Sequence, residues 1–147
     1  MKVTIRNIED PAAEQVIIEC TRVTGEIEDI RAYALSKGAG LSGIAEGGRM
    51  ERLRLEDIFY FEAVDEKVFA YTKKEVYEIK QRLYEVEEMC RPYCFVRVSK
   101  SAVINLMRLE GISPSLNGRY NAKLKNGERI VISRKYAPDI IARVMGG

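Results

Sequence analysis

The chain has 147 residues, 46% hydrophobic and 31% charged, so it can bury the core of one domain with a modest appendage. It has no histidine and only three cysteines, which excludes histidine-based triads and leaves too few ligands for a usual structural zinc site. No apolar run reaches the ~18 residues of a membrane span, and the odd number of thiols favours a reduced, cytoplasmic location. We therefore expect no metal, no cofactor, no direct membrane insertion and no enzymatic activity.

The net charge of +2 hides a basic segment. Residues 1–96 carry 14 basic and 19 acidic side chains, whereas residues 97–135 carry nine basic and two acidic ones. Such a segment suits a polyanionic partner, and it equally suits a solvated strand face. Charge alone leaves both interpretations open.

The N-terminal third predicts a small α/β appendage. Alternating apolar residues favour strands at 2–8 and 15–20, with a turn at Asp10-Pro11 between them. The alternation is also unlike the uninterrupted apolar stretch of a signal peptide. Thr24 is placed to cap a helix that Gly38 would end.

The stretch KGAGLSG follows this helix and contains a literal G-x-G-x-x-G. A dinucleotide site needs a strand before those glycines and a helix after them. Here a helix precedes them, and the residues that follow are too few and too rich in glycine for another helix. We interpret the stretch as a turn-rich connector.

From residue 50 onward the pattern is mostly β. A helix is predicted at 79–90, because Ile79, Leu83, Val86 and Cys90 recur at three- and four-residue steps. A final helix is predicted at 137–145. The predicted strands, separated by an Asp65-Glu66 turn and two Asn-Gly turns, are 57–64, 67–71, 75–77, 95–98, 109–113, 119–124 and 129–132. The sequence thus predicts a strand-rich α+β fold.

The stretch FVRVSKSAVINL, residues 95–106, has an unusual corner. A strand-like run breaks into Ser99-Lys100-Ser101 with no acidic residue beside it. Small hydroxyl residues around a lysine allow the backbone to approach a phosphate closely, and Ser99 and Ser101 can donate to phosphate oxygens. Arg97 is placed to neutralise the flank.

An ordered series of motifs between residues 50 and 146 resembles the LytTR DNA-binding domain of bacterial transcription regulators. The series is Phe-Xaa-Arg-Val-Xaa-Lys-Ser, then Val-Ile-Asn, then an Asn-Gly-Glu turn, then Val-Ile-Ser-Arg. The resemblance implies an elongated, mostly β domain that holds DNA through loops and binds paired direct repeats. We assign 49–147 to this domain and 1–48 to an appendage for dimerisation or partner binding.

The resemblance also implies three DNA-facing places: the loop that contains Lys67, the corner with Lys100 at its tip, and the junction at residues 133–135. At that junction Ser133 would cap the last helix, and Arg134 or Lys135 would reach guanine O6 and N7. Asn105 follows the corner, and either it contacts DNA or its side chain bonds to the local backbone. The candidate DNA-binding residues are Lys67, Arg97, Ser99, Lys100, Ser101, Asn105, Ser133, Arg134 and Lys135.

Three further basic residues, Arg119, Lys123 and Lys125, would extend a phosphate track or lie on a solvated strand face. About fifty residues precede the domain, too few for a receiver domain of the doubly wound type. We therefore expect a stand-alone, homodimeric regulator of double-stranded DNA, with an unidentified regulatory protein as a further partner. The alternatives are a protein-interaction module whose basic segment docks on an acidic partner, and a small anion-binding or enzymatic domain.

Overall fold

Two antiparallel sheets and three α-helices make up the computed structural model, which describes residues 1–146. The helices are α1 (Gly25–Ser36), α2 (Leu83–Cys90) and α3 (Ala137–Gly146). None of these helices is long and apolar enough to cross a bilayer. The strands are β1 (Gly40–Ala45), β2 (Met50–Arg54), β3 (Ile58–Val64), β4 (Lys67–Thr72), β5 (Val76–Ile79), β6 (Phe95–Arg97), β7 (Ala102–Asn105), β8 (Leu109–Pro114), β9 (Tyr120–Leu124) and β10 (Arg129–Ile132).

The larger sheet has seven strands in the order β2-β1-β5-β4-β3-β7-β6, and the smaller sheet has the order β10-β9-β8. The tight turn between β3 and β4 places Asp65 and Glu66 at φ 49° and 67°, which suits the twist of a two-residue hairpin. The two Asn-Gly turns join β8 to β9 and β9 to β10. The predicted α+β, mostly β fold is confirmed.

The first core lies between the larger sheet and α2. Leu83, Val86 and Cys90 of α2 belong to one buried cluster with Phe61 of β3 and Val103 of β7. These three residues form the apolar helix face that their spacing predicted. The helix is thereby fixed on one side of the sheet.

The start of α2 was predicted four residues too early. Ile79 ends β5, where it pairs with Val68 of β4 and with Gly43 of β1. Its side chain is buried in the same core as that of Leu83. The spacing of buried residues therefore looks helical from Ile79 onward, although Ile79 belongs to a strand. The start of α2 is determined by the backbone pairing of β5, which the spacing of apolar residues does not reveal.

The second core lies between the larger sheet, the smaller sheet and α3. Val98, Ile104 of β7, Leu124 of β9 and Ile132 of β10 are fully buried, and Ile140 of α3 packs with them. The Tyr60 hydroxyl of β3 also donates a hydrogen bond to Glu128 beside β10. Apolar burial and this hydrogen bond hold the two sheets together.

The second part of the glycine-rich stretch is a strand, so its prediction as a turn-rich connector was wrong there. Its residues 40–43 begin β1, which pairs with β2 on one side and with β5 on the other. A Cβ at Gly43 would lie 2.7 Å from Leu53 Cδ1 and 2.8 Å from Tyr77 Cβ. The glycine is present because neighbouring side chains occupy the space of a Cβ, and not because the chain turns there.

The strands predicted at 2–8 and 15–20 do not form. A short 3₁₀ turn at Pro11–Ala13, capped by Asp10, separates the two stretches as the sequence indicated. Within residues 1–146 no backbone hydrogen bond joins either stretch to a sheet. Alternation alone cannot make a strand, because a strand needs a neighbour for its backbone groups. The role assigned to residues 1–48 stays a prediction.

The helix predicted after Thr24 is confirmed as α1. The Thr24 hydroxyl accepts a hydrogen bond from the Ile27 amide at 3.3 Å. The helix ends at Ser36, and Gly38 follows at φ 81°. Because the side-chain cap satisfies a free amide, it fixes the helix start locally.

Two of the three cysteines are buried, Cys90 and Cys94. Burial raises the pKa of the Cys90 thiol to about 12 and also raises the pKa of Cys94. Arg143 of α3 donates to Cys94 Sγ at 3.1 Å and lies 3.9 Å from Asp29 of α1, so this cluster ties the two helices together. Within residues 1–146 no group of three or more Cys, Asp or Glu side chains is placed to hold a metal ion.

We predict that Gly43→Ala lowers the free energy of unfolding by about 1–3 kcal/mol, because the new methyl group would overpack Leu53 and Tyr77. Chemical denaturation of the purified protein would measure the change. Ser42→Ala is the matched control, because Ser42 is on the same strand and its side chain is exposed. Equal stability of Gly43→Ala and the control would contradict this account of β1.

Candidate nucleic-acid interface

The turn between β3 and β4 and the corner between β6 and β7 leave the larger sheet at the same end. This follows from the antiparallel pairing of β3 with both β4 and β7. The Ala63 amide, just before the turn, donates to the Ser101 carbonyl of the corner at 2.8 Å. The sheet therefore places residues 65–67 beside residues 99–101.

Two loops of the smaller sheet lie beside the turn at residues 65–67 and the corner at residues 99–101. The Ser133 amide donates to the Val98 carbonyl at 2.8 Å, which connects the junction between β10 and α3 to the corner. The stem of Arg134 lies over Gly118, where an added Cβ would be 3.1 Å from Arg134 Cγ and Cδ. We call the four loops, residues 65–67, 99–101, 115–119 and 133–135, the loop end.

The corner presents its lysine to solvent. Lys100 and Ser101 are exposed, and Ser99 is half-buried. The Ser101 amide donates to Ser99 Oγ at 3.2 Å, and the two hydroxyl oxygens lie 3.4 Å apart. No carboxylate within residues 1–146 forms an ion pair with Lys100. The corner thus combines hydroxyl groups with an unneutralised cation.

Arg97 lies beneath this corner. Its guanidinium donates to the Ser99 carbonyl and to the Lys100 carbonyl, each at 2.6 Å, and to Glu87 Oε1 of α2 at 2.9 Å. The side chain is 16% exposed. The sequence placed Arg97 on the flank as a phosphate contact, whereas in the structure its guanidinium braces the corner and is paired with a carboxylate.

Asn105 lies away from the loop end, at the other end of β7, and is 3% exposed. Its Nδ2 donates to the Ile58 carbonyl at 3.0 Å, and its Oδ1 accepts from the Met107 amide at 3.0 Å. Of the two interpretations left open by the sequence, the local backbone role is the one observed. We leave Asn105 out of the contact set, because its buried side chain is not available to a duplex.

Lys67 belongs to the loop end but has acidic neighbours. Its ammonium lies 3.8 Å from Glu78 Oε1 of β5, and its side chain is 60% exposed. Asp65 and Glu66 are exposed in the same turn. An exposed ion pair at this distance is weak, so Lys67 keeps its charge in an environment that is unfavourable for a phosphate.

The junction at residues 133–135 is organised by its backbone. The Ser133 carbonyl accepts from the amides of Tyr136 and Ala137 at 3.1 and 3.0 Å. Within residues 1–146 the Ser133 hydroxyl forms no hydrogen bond, so it does not cap α3 as the sequence suggested. Arg134 and Lys135 are exposed, and the Lys135 ammonium lies 5.4 Å from the Tyr136 ring centroid.

The three remaining basic candidates, Arg119, Lys123 and Lys125, do not lie together. Arg119 is exposed in the loop end. Lys123 and Lys125 lie toward the far end of the smaller sheet, where Lys123 is 3.5 Å from Glu110 and the Lys125 amide bonds to the Arg108 carbonyl. A single phosphate track through all three is therefore not supported by their positions.

We predict that Arg97→Ala destabilises the protein by about 1–3 kcal/mol and loosens the corner, because two carbonyls and Glu87 lose a partly buried donor. Denaturation and hydrogen exchange at the Ser101 amide would measure both effects. Glu87→Gln is the control, since it removes the ion pair and keeps the two bonds to the corner. A stable Arg97→Ala protein with unchanged exchange would contradict the brace.

Comparisons with known proteins agree with this geometry. The model of the LytTr DNA-binding domain family matches residues 48–145. The sensory transduction protein LytT of Bacillus cereus is 33% identical over 88 residues, which are 60% of this chain and 36% of that protein. An uncharacterised HTH-type transcriptional regulator of Staphylococcus aureus is 30% identical over 92 residues, 63% of this chain and 62% of the relative.

A solved LytTr DNA-binding domain from Bacillus cereus has the same fold. It superposes with a TM-score of 0.67 at 21% identity and covers 73% of this chain and 97% of the solved one. The match spans less than two thirds of either curated relative, so those similarities concern mainly the domain. Because the family model matches about two thirds of the chain, the chain belongs to the LytTR family of DNA-binding domains.

Proposed function

We propose that the chain is a sequence-specific, double-stranded DNA-binding transcription regulator that contacts its site through the loop end. The observation that carries this proposal is the clustering of four exposed cations at one end of the molecule without an ion-pair partner in residues 1–146. These cations are Lys100, Arg119, Arg134 and Lys135. A duplex offers a complementary row of phosphates.

The corner suits the phosphate backbone. Its hydroxyl groups are short donors, so the chain can approach a phosphate closely while Lys100 supplies the charge. Arg97 contributes indirectly by holding the carbonyls of Ser99 and Lys100 away from the surface. This prevents two carbonyl oxygens from facing the anion.

The junction between β10 and α3 suits base reading. Arg134 and Lys135 extend from a backbone held by two hydrogen bonds to Ser133, so their long side chains start from a fixed position. Either one can donate to guanine O6 and N7 in the major groove, and arginine can do so with two parallel bonds. The free Ser133 hydroxyl is a further donor for a phosphate.

The acidic turn between β3 and β4 limits the footprint on one side. Asp65 and Glu66 would repel phosphates, so Lys67 makes at most a peripheral contact. We infer that the duplex lies over the corner and the smaller sheet, with the acidic turn at its border.

We further propose a homodimer on paired direct repeats. One domain presents one loop end, and high specificity needs more contacts than a single module makes. Two copies on one side of the duplex would place the loop ends about one helical turn apart. The proposed site of action is the bacterial cytoplasm, with an unidentified regulatory protein as a further partner.

We predict that Lys100→Ala reduces the steepness of the salt dependence of DNA binding by about 0.9 per chain, which corresponds to one lost phosphate contact. Fluorescence anisotropy at several salt concentrations would measure the slope. Lys125→Ala is the matched control, because Lys125 is exposed at the opposite end of the smaller sheet. Equal slopes for both variants would contradict the proposed orientation.

We predict that selection of random duplexes with the purified chain recovers a repeated element with a spacing of about 10–10.5 base pairs. Arg134→Ala and Lys135→Ala should each be selected in parallel, and the residue that reads a base should relax preference at one position of each repeat. A salt-sensitive complex with an acidic protein, without any enrichment of DNA, would instead support the protein-interaction module.

A further inference from the structure

Residues 1–23 form an exposed arm that precedes α1. Four of its large apolar side chains, Val3, Ile5, Val16 and Ile17, are 82%, 89%, 71% and 69% exposed. Such a concentration of solvated aliphatic side chains marks an interaction site, because burying them would be favourable. The question is which partner covers them.

The arm has two limbs, residues 2–8 and 15–20, that are held apart. The 3₁₀ turn between them is fixed by Pro11 and by the bond from the Ala12 amide to Asp10 Oδ1 at 2.9 Å. Residues of both limbs line a cleft of about 740 Å³. Within residues 1–146 no backbone hydrogen bond joins the limbs to each other. The limbs of one chain thus leave space between them for another chain.

The two limbs have complementary sequences when they run antiparallel. In one register Val3 lies opposite Ile18 and Ile5 opposite Val16, so the aliphatic residues share a face. The same register places Lys2 opposite Glu19. Arg6 lies opposite Gln15 on the same face as Lys2 and Glu19, so it adds to the positive charge of the first limb on that face. Pairing of unlike limbs is therefore favoured by both apolar contact and charge, whereas pairing of like limbs opposes equal charges.

We propose that the first limb of one copy pairs with the second limb of another copy, forming an antiparallel sheet between two chains. This proposal rests on the proposed homodimer and names its interface. A second copy is the occupant that fits, because it supplies both limbs with their complementary charges and satisfies the backbone groups that each limb leaves free. Exchange of the two limbs is reciprocal, so the pair closes as a dimer. Within residues 1–146 neither limb has a backbone hydrogen bond to a sheet, so the paired arms leave the two domains free to lie in tandem on direct repeats.

The position of the arm is compatible with DNA binding. The arm leads into α1, whose Asp29 lies beside Cys94 at the start of β6, whereas the corner follows the end of β6. The arms therefore attach at the end of β6 opposite to Lys100. Dimerisation through the arms leaves both loop ends free for a duplex.

The test uses the full chain and four substitutions that exchange the charges of the limbs. Lys2→Glu with Arg6→Glu makes both limbs acidic, and Glu14→Lys with Glu19→Lys makes both limbs basic. Each double variant should dimerise about tenfold or more weakly than the wild type, since its unlike limbs now repel. The quadruple variant restores opposite charges and should recover the dimer. Sedimentation velocity would give the four dimerisation constants, those of the wild type, the two double variants and the quadruple variant.

Mixing the quadruple variant with the wild type distinguishes pairing of unlike limbs from pairing of like limbs. Unlike-limb pairing predicts that each forms its own homodimers, because a mixed pair opposes equal charges; native mass spectrometry of the mixture would measure the distribution. A statistical mixture, a preference for the mixed dimer, or a wild type that is monomeric at tens of micromolar would overturn the proposal. Salt-dependent binding to a single DNA site tests the proposed function separately, because one loop end suffices for it.

Discussion

The guanidinium of Arg97 is the interaction on which the loop end depends. It binds the carbonyls of Ser99 and Lys100, which turn inward as a result, and it draws its own counter-charge from Glu87 of α2. The corner is therefore shaped from below by a partly buried cation and presents a different cation, Lys100, to solvent. The next backbone bond, from Ser133 to Val98, transmits this fixed position to the junction before α3. A change at Arg97 would therefore displace the exposed side chains of the corner and the junction, although Arg97 itself is partly buried.

The two cores explain why loops from different sheets meet. The larger sheet places the turn after β3 and the corner after β6 at one end, and the second core holds the smaller sheet against it. The smaller sheet adds its own turn and the junction before α3 at the same end. Within residues 1–146 the loop end consists of segments that connect or follow strands, so the proposed contacts would come from loop side chains whose starting positions are fixed by strands. Such rigid support reduces the entropy lost when long cationic side chains become ordered on a duplex.

Much of the fold was predictable because local signals and tertiary pairing agree. The β3–β4 hairpin, the two Asn-Gly turns and the apolar face of α2 each follow from a short pattern that the fold also needs. The failures have a common cause. Ile79, Gly43 and the limbs of the arm were misjudged because their state depends on which backbone or side chain lies beside them, and a single sequence does not contain that information. Arg97 was chosen as a candidate from its charge, but its brace role requires Glu87, which is ten residues away and on another element.

The misjudged arm is informative in its own right. Alternation, a well-placed turn and complementary charges are the features of a hairpin, yet the limbs of one chain remain unpaired across a cleft. The sequence favours pairing of the two limbs, but the limbs of one chain do not pair with each other. Pairing between two copies would account for both observations. In the proposed dimer each arm is incomplete in one chain, and the second copy supplies the limb with which it pairs. Because the arm leads into α1 at the end of β6 away from the corner, dimerisation and DNA binding do not compete for the same surface.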